Sequence, residues 1–530
     1  MLFASYNFII FITVLFFVYY IIPKRFQWML LLFASYVFYF FAGPKYIIYI
    51  AFTTISTYVV SIILGRIDSA QKIYLDKNKG VLSRAERRDY REGVKLRKRR
   101  WLTLCLMLNF GVLAFVKYLN FTIANINYIT KMFGGQGSLS FWNIALPMGI
   151  SFYTFQTMGY IIDVYRGKYP PEENIFKLGL FVSFFPQLVQ GPISRFDDLE
   201  PTLFKGHRPR FKNISFGLQR ILWGYFKKVV LADRILVAVN TIVRNPQDYS
   251  GIFAFIGMLF YAYQLYADFT GGIDITIGIS EVLGIRVQEN FNRPYFSKSV
   301  EEYWRRWHIS LGAWFRDYLF YPLSLSQPMM KVYRFTREHL GGYFGKRIPV
   351  YISTILVWFT TGIWHGSSWN FVLWGLSNCF VIIISQELEP LYERFHSRFD
   401  VGGSLWFRAF QVIRTVLIMS SIRMFDCYID VSTTFRMFGS MFTSFDVSKI
   451  FDGSLLELGI SLADYIVLFA GLIILVTISL LKRKGSIRER LATRPQIVRY
   501  ALYYVLIISI IVLGAYGIGY DSSQFIYNQF

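Results

Sequence analysis

Nine apolar runs, each long enough to cross a hydrocarbon core of ~30 Å, fall near 7–22, 45–64, 101–119, 215–242, 251–284, 348–387, 405–424, 462–481 and 500–519. Uninterrupted runs of this length read as membrane helices. Composition agrees: 54% of the 530 residues are hydrophobic and mean hydropathy is +0.39. Charged residues make up 17%, below the ~25% typical of soluble domains. The expectation is an all-α polytopic membrane protein of roughly 10–12 membrane helices, because several runs are long enough to hold two.

The first run, NFIIFITVLFFVYYII, lacks the basic leader and small-residue cleavage site of a signal peptide and reads as a retained helix. No internal repeat or low-complexity tract interrupts the chain. One integral domain over 1–530 is therefore expected, with N-terminal helices and a basic loop in 1–120, a core in 140–390 and C-terminal helices in 400–530. Cys105, Cys379 and Cys427 are too few and too scattered for a disulfide framework or a thiolate metal site.

The formal charge of +23 would suggest nucleic acid in a soluble protein, but its location argues otherwise. The excess gathers between apolar runs, in RAERRDYREGVKLRKRR (84–100), KGHRPRFK (205–212), KVYRFTREHLGGYFGKR (331–347) and KRKGSIRERLATRPQIVR (482–499). That pattern is the positive-inside signal of a protein beside anionic lipid headgroups. It places 66–100 and 482–499 in the cytoplasm and, by parity of spans, both termini outside.

One stretch resists this reading. WRRWHISLGAWFRDYLFYPL (304–323) sets Trp304, His308, Leu311, Phe315 and Tyr318 at the offsets of one helical face, with Glu301 and Glu302 just before it and Arg305, Arg316 and Asp317 on the others. Each charge at mid-bilayer costs about 2.5–3.5 kcal/mol, so this segment either lies in the interface or dips into the protein beside a water-filled cavity. In FTTGIWHGSSWNFVLWG (359–375), His365 is the one side chain between Ile348 and Ile384 that titrates near neutral pH. An intramembrane histidine is either a functional group or a packed ring bonded to a neighbouring carbonyl. YAYQLYADFTGGIDITIGISEVLG (261–284) carries Gln264, Asp268 and Asp274, with a bend expected at Gly271 and Gly272. FFPQLVQGPISR (184–195) adds Gln187 and Gln190. Broken helices with polar side chains belong around a cavity. The expected lining of a shared polar tunnel is Gln187, Gln190, Gln264, Asp268, Trp304, Trp364 and Asn370.

ENFNRPYFSKSVEEYWRRWHISLGAWFRDYLFYPL (289–323) and TTGIWHGSSWNFVLWG (360–375) closely resemble the membrane-bound O-acyltransferase superfamily. FFPQLVQGPI and QLYADFTGGIDITIGIS resemble its bacterial branch, and the four motifs stand in the family's order. The resemblance implies a helical bundle with re-entrant or interfacial helices around a polar tunnel, in a bacterial cytoplasmic membrane. Two branches compete, the acetyltransferases of exported polysaccharides typified by alginate O-acetylation and the D-alanyl transferases of teichoic acid. The D-alanyl branch usually ends soon after the region equivalent to 400. This chain continues through RAFQVIRTVLIMSSIRMFDCYIDVSTTFRMFGSMFTSF (408–445) and further spans, like the alginate type. It departs after RDYLFYPL, where that type has a Gly-Gly turn and this chain reads SLSQPMMK.

Acyl transfer from a thioester to a hydroxyl needs a base for the hydroxyl proton. The resemblance implies that His365 is the catalytic residue and that His308 assists from a neighbouring helix. It also implies acetyl-coenzyme A as a donor drawn from the cytoplasm, no permanently bound cofactor or metal, and an extracytoplasmic acetyltransferase- or esterase-like partner that passes the group to a polysaccharide. Arg305, Arg306 and Arg316 suit the donor's phosphates, and equally suit pairing with Glu301, Glu302 or Asp317. The absence of a G-x-x-x-x-G-K-[ST] loop, a metal-spaced His pair and a GxSxG element argues against an ATPase, a zinc enzyme and a serine hydrolase. A transporter that moves its substrate without breaking a covalent bond is the rival class.

Overall fold

The computed structural model describes residues 3, 5–428 and 430–516, and among them the chain is helical with no β-strand. Among the described residues, eight helices are long and apolar enough to cross a membrane. The sequence count of roughly 10–12 also drew on segments the fold keeps short or interrupts. Tyr6–Ile21 is 16 residues long. The 215–242 run is divided by a π-helical stretch at Phe226–Ala232. Most of the expected 500–519 run forms Gln496–Leu513, and its residues beyond 516 lie outside the described part.

The described chain forms two compact units. The first comprises Tyr6–Ile214 with Ser280–Gln288. Its longest element is the Arg84–Met132 helix, opened by a reciprocal cap in which Ser83 Oγ accepts from the Glu86 N–H while the Glu86 carboxylate accepts from the Ser83 N–H. This helix runs 49 residues, roughly 74 Å at ~1.5 Å per residue, more than twice the ~30 Å core. Its apolar half has the length of a span, and its basic first turns, including Lys98 paired with Asp68 at 2.7 Å, extend that helix beyond it. The basic stretch at 84–100 is thus helix, and the connection before it is short.

The second unit is built from Ser215–Ile279 and the chain from Glu289 onward. The 31-residue Ile252–Val282 helix is its most enclosed span and continues unbroken through Gly271 and Gly272, so the helix break expected there does not occur. Gly271 serves close approach instead. A Cβ on Gly224 would stand 2.6 Å from the Gly271 carbonyl oxygen, and one on Gly278 would stand 2.7 Å from the Gly217 carbonyl oxygen. Two helices meet there backbone to backbone, at a distance that no larger residue permits.

Candidate active site

The Gln327–His365 stretch comprises two helices joined at Gly341, where φ is +74°. The second ends on His365, and Gly366, Ser367 and Ser368 then carry the chain into the Trp369–Glu387 helix. The two helices are pressed together. A Cβ on Gly362 would lie 2.3 Å from the Phe371 carbonyl oxygen, one on Gly375 would lie 2.4 Å from the Trp358 carbonyl oxygen, and one on Gly366 would enter the Phe371 ring. What reads as one apolar run from 348 to 387 is therefore a tight helical hairpin, and His365 stands at its turn.

His308 also sits at a break. The continuous amphipathic helix expected across 304–318 is not formed: Val300–Arg306 ends, Trp307 is extended, and Ile309–Phe315 starts afresh before a π-helical turn at Arg316–Phe320. Asn290 makes the break possible by supplying the acceptors that a continuing helix would otherwise provide. Its carbonyl oxygen accepts from the Ile309 N–H at 3.0 Å, and its Oδ1 accepts from the Ser310 N–H at 3.0 Å and the Ser310 hydroxyl at 2.9 Å. His308 takes the left-handed conformation, with φ +48°. Only Arg293 shares a positive φ among the described non-glycine residues. Such a conformation costs of order 1–3 kcal/mol and persists where the surroundings impose it, commonly at functional positions.

The hydrogen-bond pattern sets the His308 tautomer. Asn290 Oδ1 already accepts from Ser310 and lies 3.3 Å from His308 Nδ1, so Nδ1 carries the proton and Nε2 the lone pair. Burial, reinforced by the Arg423 guanidinium, pulls the imidazole pKa down to about 3. His308 is a neutral ring at any physiological pH.

Trp364 links the two histidines. Its ring meets His308 edge-on at 5.9 Å and His365 at 4.9 Å between centroids. His365 rests on Trp374 at 4.5 Å, and Trp374 meets Trp304 at 5.6 Å. Trp304 donates its indole N–H to Asn378 Oδ1 at 3.1 Å, while the Asn378 amide donates to the Trp374 carbonyl at 2.8 Å. Beneath this aromatic floor lies Arg423, 4.9 Å from the Trp307 ring, 5.2 Å from Trp374 and 5.8 Å from Trp304. Its guanidinium pairs with Asp426 at 2.8 Å, both side chains being nearly enclosed. The indoles offer their negative faces to the cation, and the carboxylate balances its charge.

Among the expected lining residues, Trp304 and Trp364 belong to this cluster. Asn370 is buried on the Trp369–Glu387 helix and donates to the Tyr428 carbonyl at 2.8 Å. Gln264 is buried in the second unit, and Asp268 pairs there with Lys228 at 2.8 Å. Gln187 and Gln190 fall in the first unit. The Gln187 amide donates to the Pro192 carbonyl and to Ser194, whereas neither amide atom of the fully buried Gln190 has a hydrogen-bond partner among the described residues. Arg305, Arg306 and Arg316 pair with Glu301, Glu302 and Asp317 at 2.7, 2.5 and 2.9 Å. Cys379 is buried. Sequence reading did not single out Arg423, Asp426, Asn290 or Asn378. The first pair had a signal, because an arginine and an aspartate three apart inside the apolar run IRMFD need each other.

The chain from 172 to 335 matches the model of the membrane-bound O-acyltransferase family. A protein described as "Probable alginate O-acetylase AlgI" from Pseudomonas putida is 33% identical over 377 residues, 71% of this chain and 68% of that protein. The chain belongs to the membrane-bound O-acyltransferase family. Its counterpart of the same description from Azotobacter vinelandii is 35% identical over 380 residues, 71% of this chain and 66% of its own length. A peptidoglycan O-acetyltransferase from Helicobacter pylori is 33% identical over 326 residues, covering 56% and 58%. The match to the Azotobacter relative thus spans slightly less than two thirds of that protein. Family membership accounts for the multi-pass helical architecture, and the motif at 289–323 overlaps the matched region.

Proposed function

We propose that this protein is an O-acyltransferase that takes an acetyl group from acetyl-coenzyme A on the cytoplasmic side and delivers it, through an extracytoplasmic partner, for O-acetylation of an exported polysaccharide. The observation that carries the reading is the joining of His308 and His365 through Trp364, each at a helix break in an enclosed aromatic site. His365 removes the proton from the acceptor hydroxyl. The hydroxyl oxygen attacks the thioester carbonyl, the C–O bond forms and the C–S bond breaks, and the thiolate leaves with the proton returned to it. His308, neutral and fixed by Asn290, assists by positioning, and enclosure by indoles keeps out the water that would hydrolyse the thioester. The names of the relatives support an acetyl group and a glycan acceptor.

The test is thiol release by the purified protein. Free coenzyme A should appear from acetyl-coenzyme A when a hydroxyl acceptor is added. A protein that binds or moves substrate with no thiol released is a transporter, and activity with a D-alanyl carrier-protein thioester alone assigns it to the teichoic acid branch.

In this reading the bacterial inner membrane holds the chain with 66–100 and 482–499 inside, as their Lys and Arg excess requires. Single cysteines placed in either segment should react with an impermeant maleimide only after the membrane is opened. Labelling of intact cells would invert the topology.

Arg305 and Arg306 are proposed to face the donor, although Glu301 and Glu302 pair with them. The double alanine variant should raise the donor KM, and added salt should reproduce the defect in the wild type because such contacts are screened. An unchanged KM in a folded variant would leave them the role of holding the 300–306 helix.

A further inference from the structure

A separate charged pocket lies in the second unit, where the Phe211–Tyr225 helix and the π-helical stretch after it face the Ile252–Val282 helix and the end of the Leu462–Lys482 helix. Four cations line it, Arg220, Lys227, Arg293 and Lys482, against two carboxylates, Asp274 and Glu289. The carboxylates are already engaged. Asp274 accepts from Arg220 at 2.9 Å and from Lys227 at 2.6 Å, and Glu289 takes the two ends of the Arg220 guanidinium at 2.5 and 2.6 Å. Arg220 and Lys227 are therefore neutralised in place. Lys482 and Arg293 make no ion pair among the described residues, and their two charges are the pocket's excess.

Four further features narrow what this excess is for. The room open to water is about 40 Å³, against roughly 10–15 Å³ for one water, which suits a single tetrahedral anion and not a whole nucleotide. Arg293 is held at φ +50° immediately before Pro294, a placement disfavoured both for a side-chain-bearing residue and for a residue preceding proline. Backbone strain is thus maintained at one of the two unpaired cations. Desolvation and the repulsion of Arg306 and Arg483 lower the Arg293 pKa, while Glu302, which pairs with Arg306, partly offsets them, so Arg483 carries the positive charge beyond the rim. Lys482 is exposed and begins the basic stretch 482–499, so a ligand reaches the pocket from that side.

We infer that this pocket is a phosphoryl-binding site, in which Lys482 and Arg293 hold one phosphate group of a ligand arriving from the face that carries 482–499. Guanidinium and ammonium groups around a cavity of this size match a phosphate mono- or diester. The buried Arg220, Lys227, Asp274 and Glu289 network holds the wall rigid, and Ser479 adds a hydroxyl. Such a group has two sources, a phosphate of the thioester donor or the headgroup of an anionic phospholipid. The first source rests on the acyl-coenzyme A reading above, and the second does not.

The test uses the full-length protein in nanodiscs of phosphatidylcholine, with Lys482→Gln/Arg293→Gln as the variant and Lys482→Arg/Arg293→Lys as the charge-preserving control. Monodisperse elution serves as the check on folding. In the first arm coenzyme A and pantetheine, which lacks the phosphates, are titrated. If the donor supplies the group, the Gln variant loses about tenfold or more in coenzyme A affinity, pantetheine binding is unchanged and the control binds normally. In the second arm the discs contain phosphatidylglycerol. If a lipid supplies the group, the anionic lipid raises the melting temperature of the wild type and the control but not of the Gln variant. Equal coenzyme A affinity together with equal lipid response in wild type and Gln variant overturns the inference. A wild type that ignores coenzyme A but responds to phosphatidylglycerol through Lys482 and Arg293 keeps the site and removes the donor reading. A wild type that transfers from acetyl-coenzyme A, with both arms insensitive to the variant, keeps the donor reading and removes the site.

Discussion

His365→Ala should lower the rate of acyl transfer by at least ~10²–10⁴-fold, the range expected for loss of a general base, while thioester binding stays nearly intact. The ring stands at the turn of a helical hairpin, between Trp364 and Trp374, and the hairpin is held by glycine contacts at 362, 366 and 375 that do not involve the imidazole. Truncation therefore removes chemistry and leaves the scaffold. Kinetics should show kcat falling with donor KM little changed, the pattern of an interaction made in the transition state. His365→Gln separates proton transfer from positioning, since it keeps a hydrogen-bonding group without a base. It should be almost as inactive as the alanine variant, and near-native turnover would pass the role to His308. His308→Ala should be the milder change. An acid limb near neutrality in the pH profile would not be the titration of His308, which is held neutral down to about pH 3.

Asp426→Ala should destabilise the protein by about 3–5 kcal/mol, the cost of leaving a buried charge without its partner. Arg423 is enclosed against Trp304, Trp307 and Trp374, and it forms an ion pair with Asp426. Three indole faces attract the guanidinium by about 0.5–2 kcal/mol each, which does not replace a carboxylate at contact distance. The floor beneath both histidines should loosen with it, so activity should fall together with the melting temperature. Asp426→Asn, which keeps an acceptor, should be intermediate. An alanine variant that melts with the wild type in the same detergent would mean that Arg423 is satisfied by other groups.

The helical class and both histidines were legible in the sequence because bilayer thickness fixes helix length and because an imidazole in an apolar run is costly without a purpose. The breaks were not. Periodicity across 304–318 is consistent with one helix, and nothing local to it announces that Asn290, some twenty residues earlier, will take the Ile309 and Ser310 donors and turn His308 into a cap. The same holds at Gly271, which sequence alone reads as a bend and which the fold uses for contact with Gly224. Glycine marks an unusual backbone requirement without saying which one. For Arg305, Arg306 and Arg316 the sequence left donor phosphates and the neighbouring Glu301, Glu302 and Asp317 as equal partners, and the fold forms the pairs with the carboxylates. The excess charge of Lys482 and Arg293 was harder still to see, because the two residues are 189 positions apart.

The most direct test of the central claim is to follow radiolabelled acetyl from acetyl-coenzyme A in proteoliposomes that hold the purified protein and a polysaccharide acceptor together with its extracytoplasmic partner enzyme. Label should appear in an alkali-labile ester on the acceptor with the wild type, and His365→Ala, reconstituted to the same density and binding the donor equally, should leave the label on coenzyme A. Ester formation at the wild-type rate by the His365→Ala protein would contradict it.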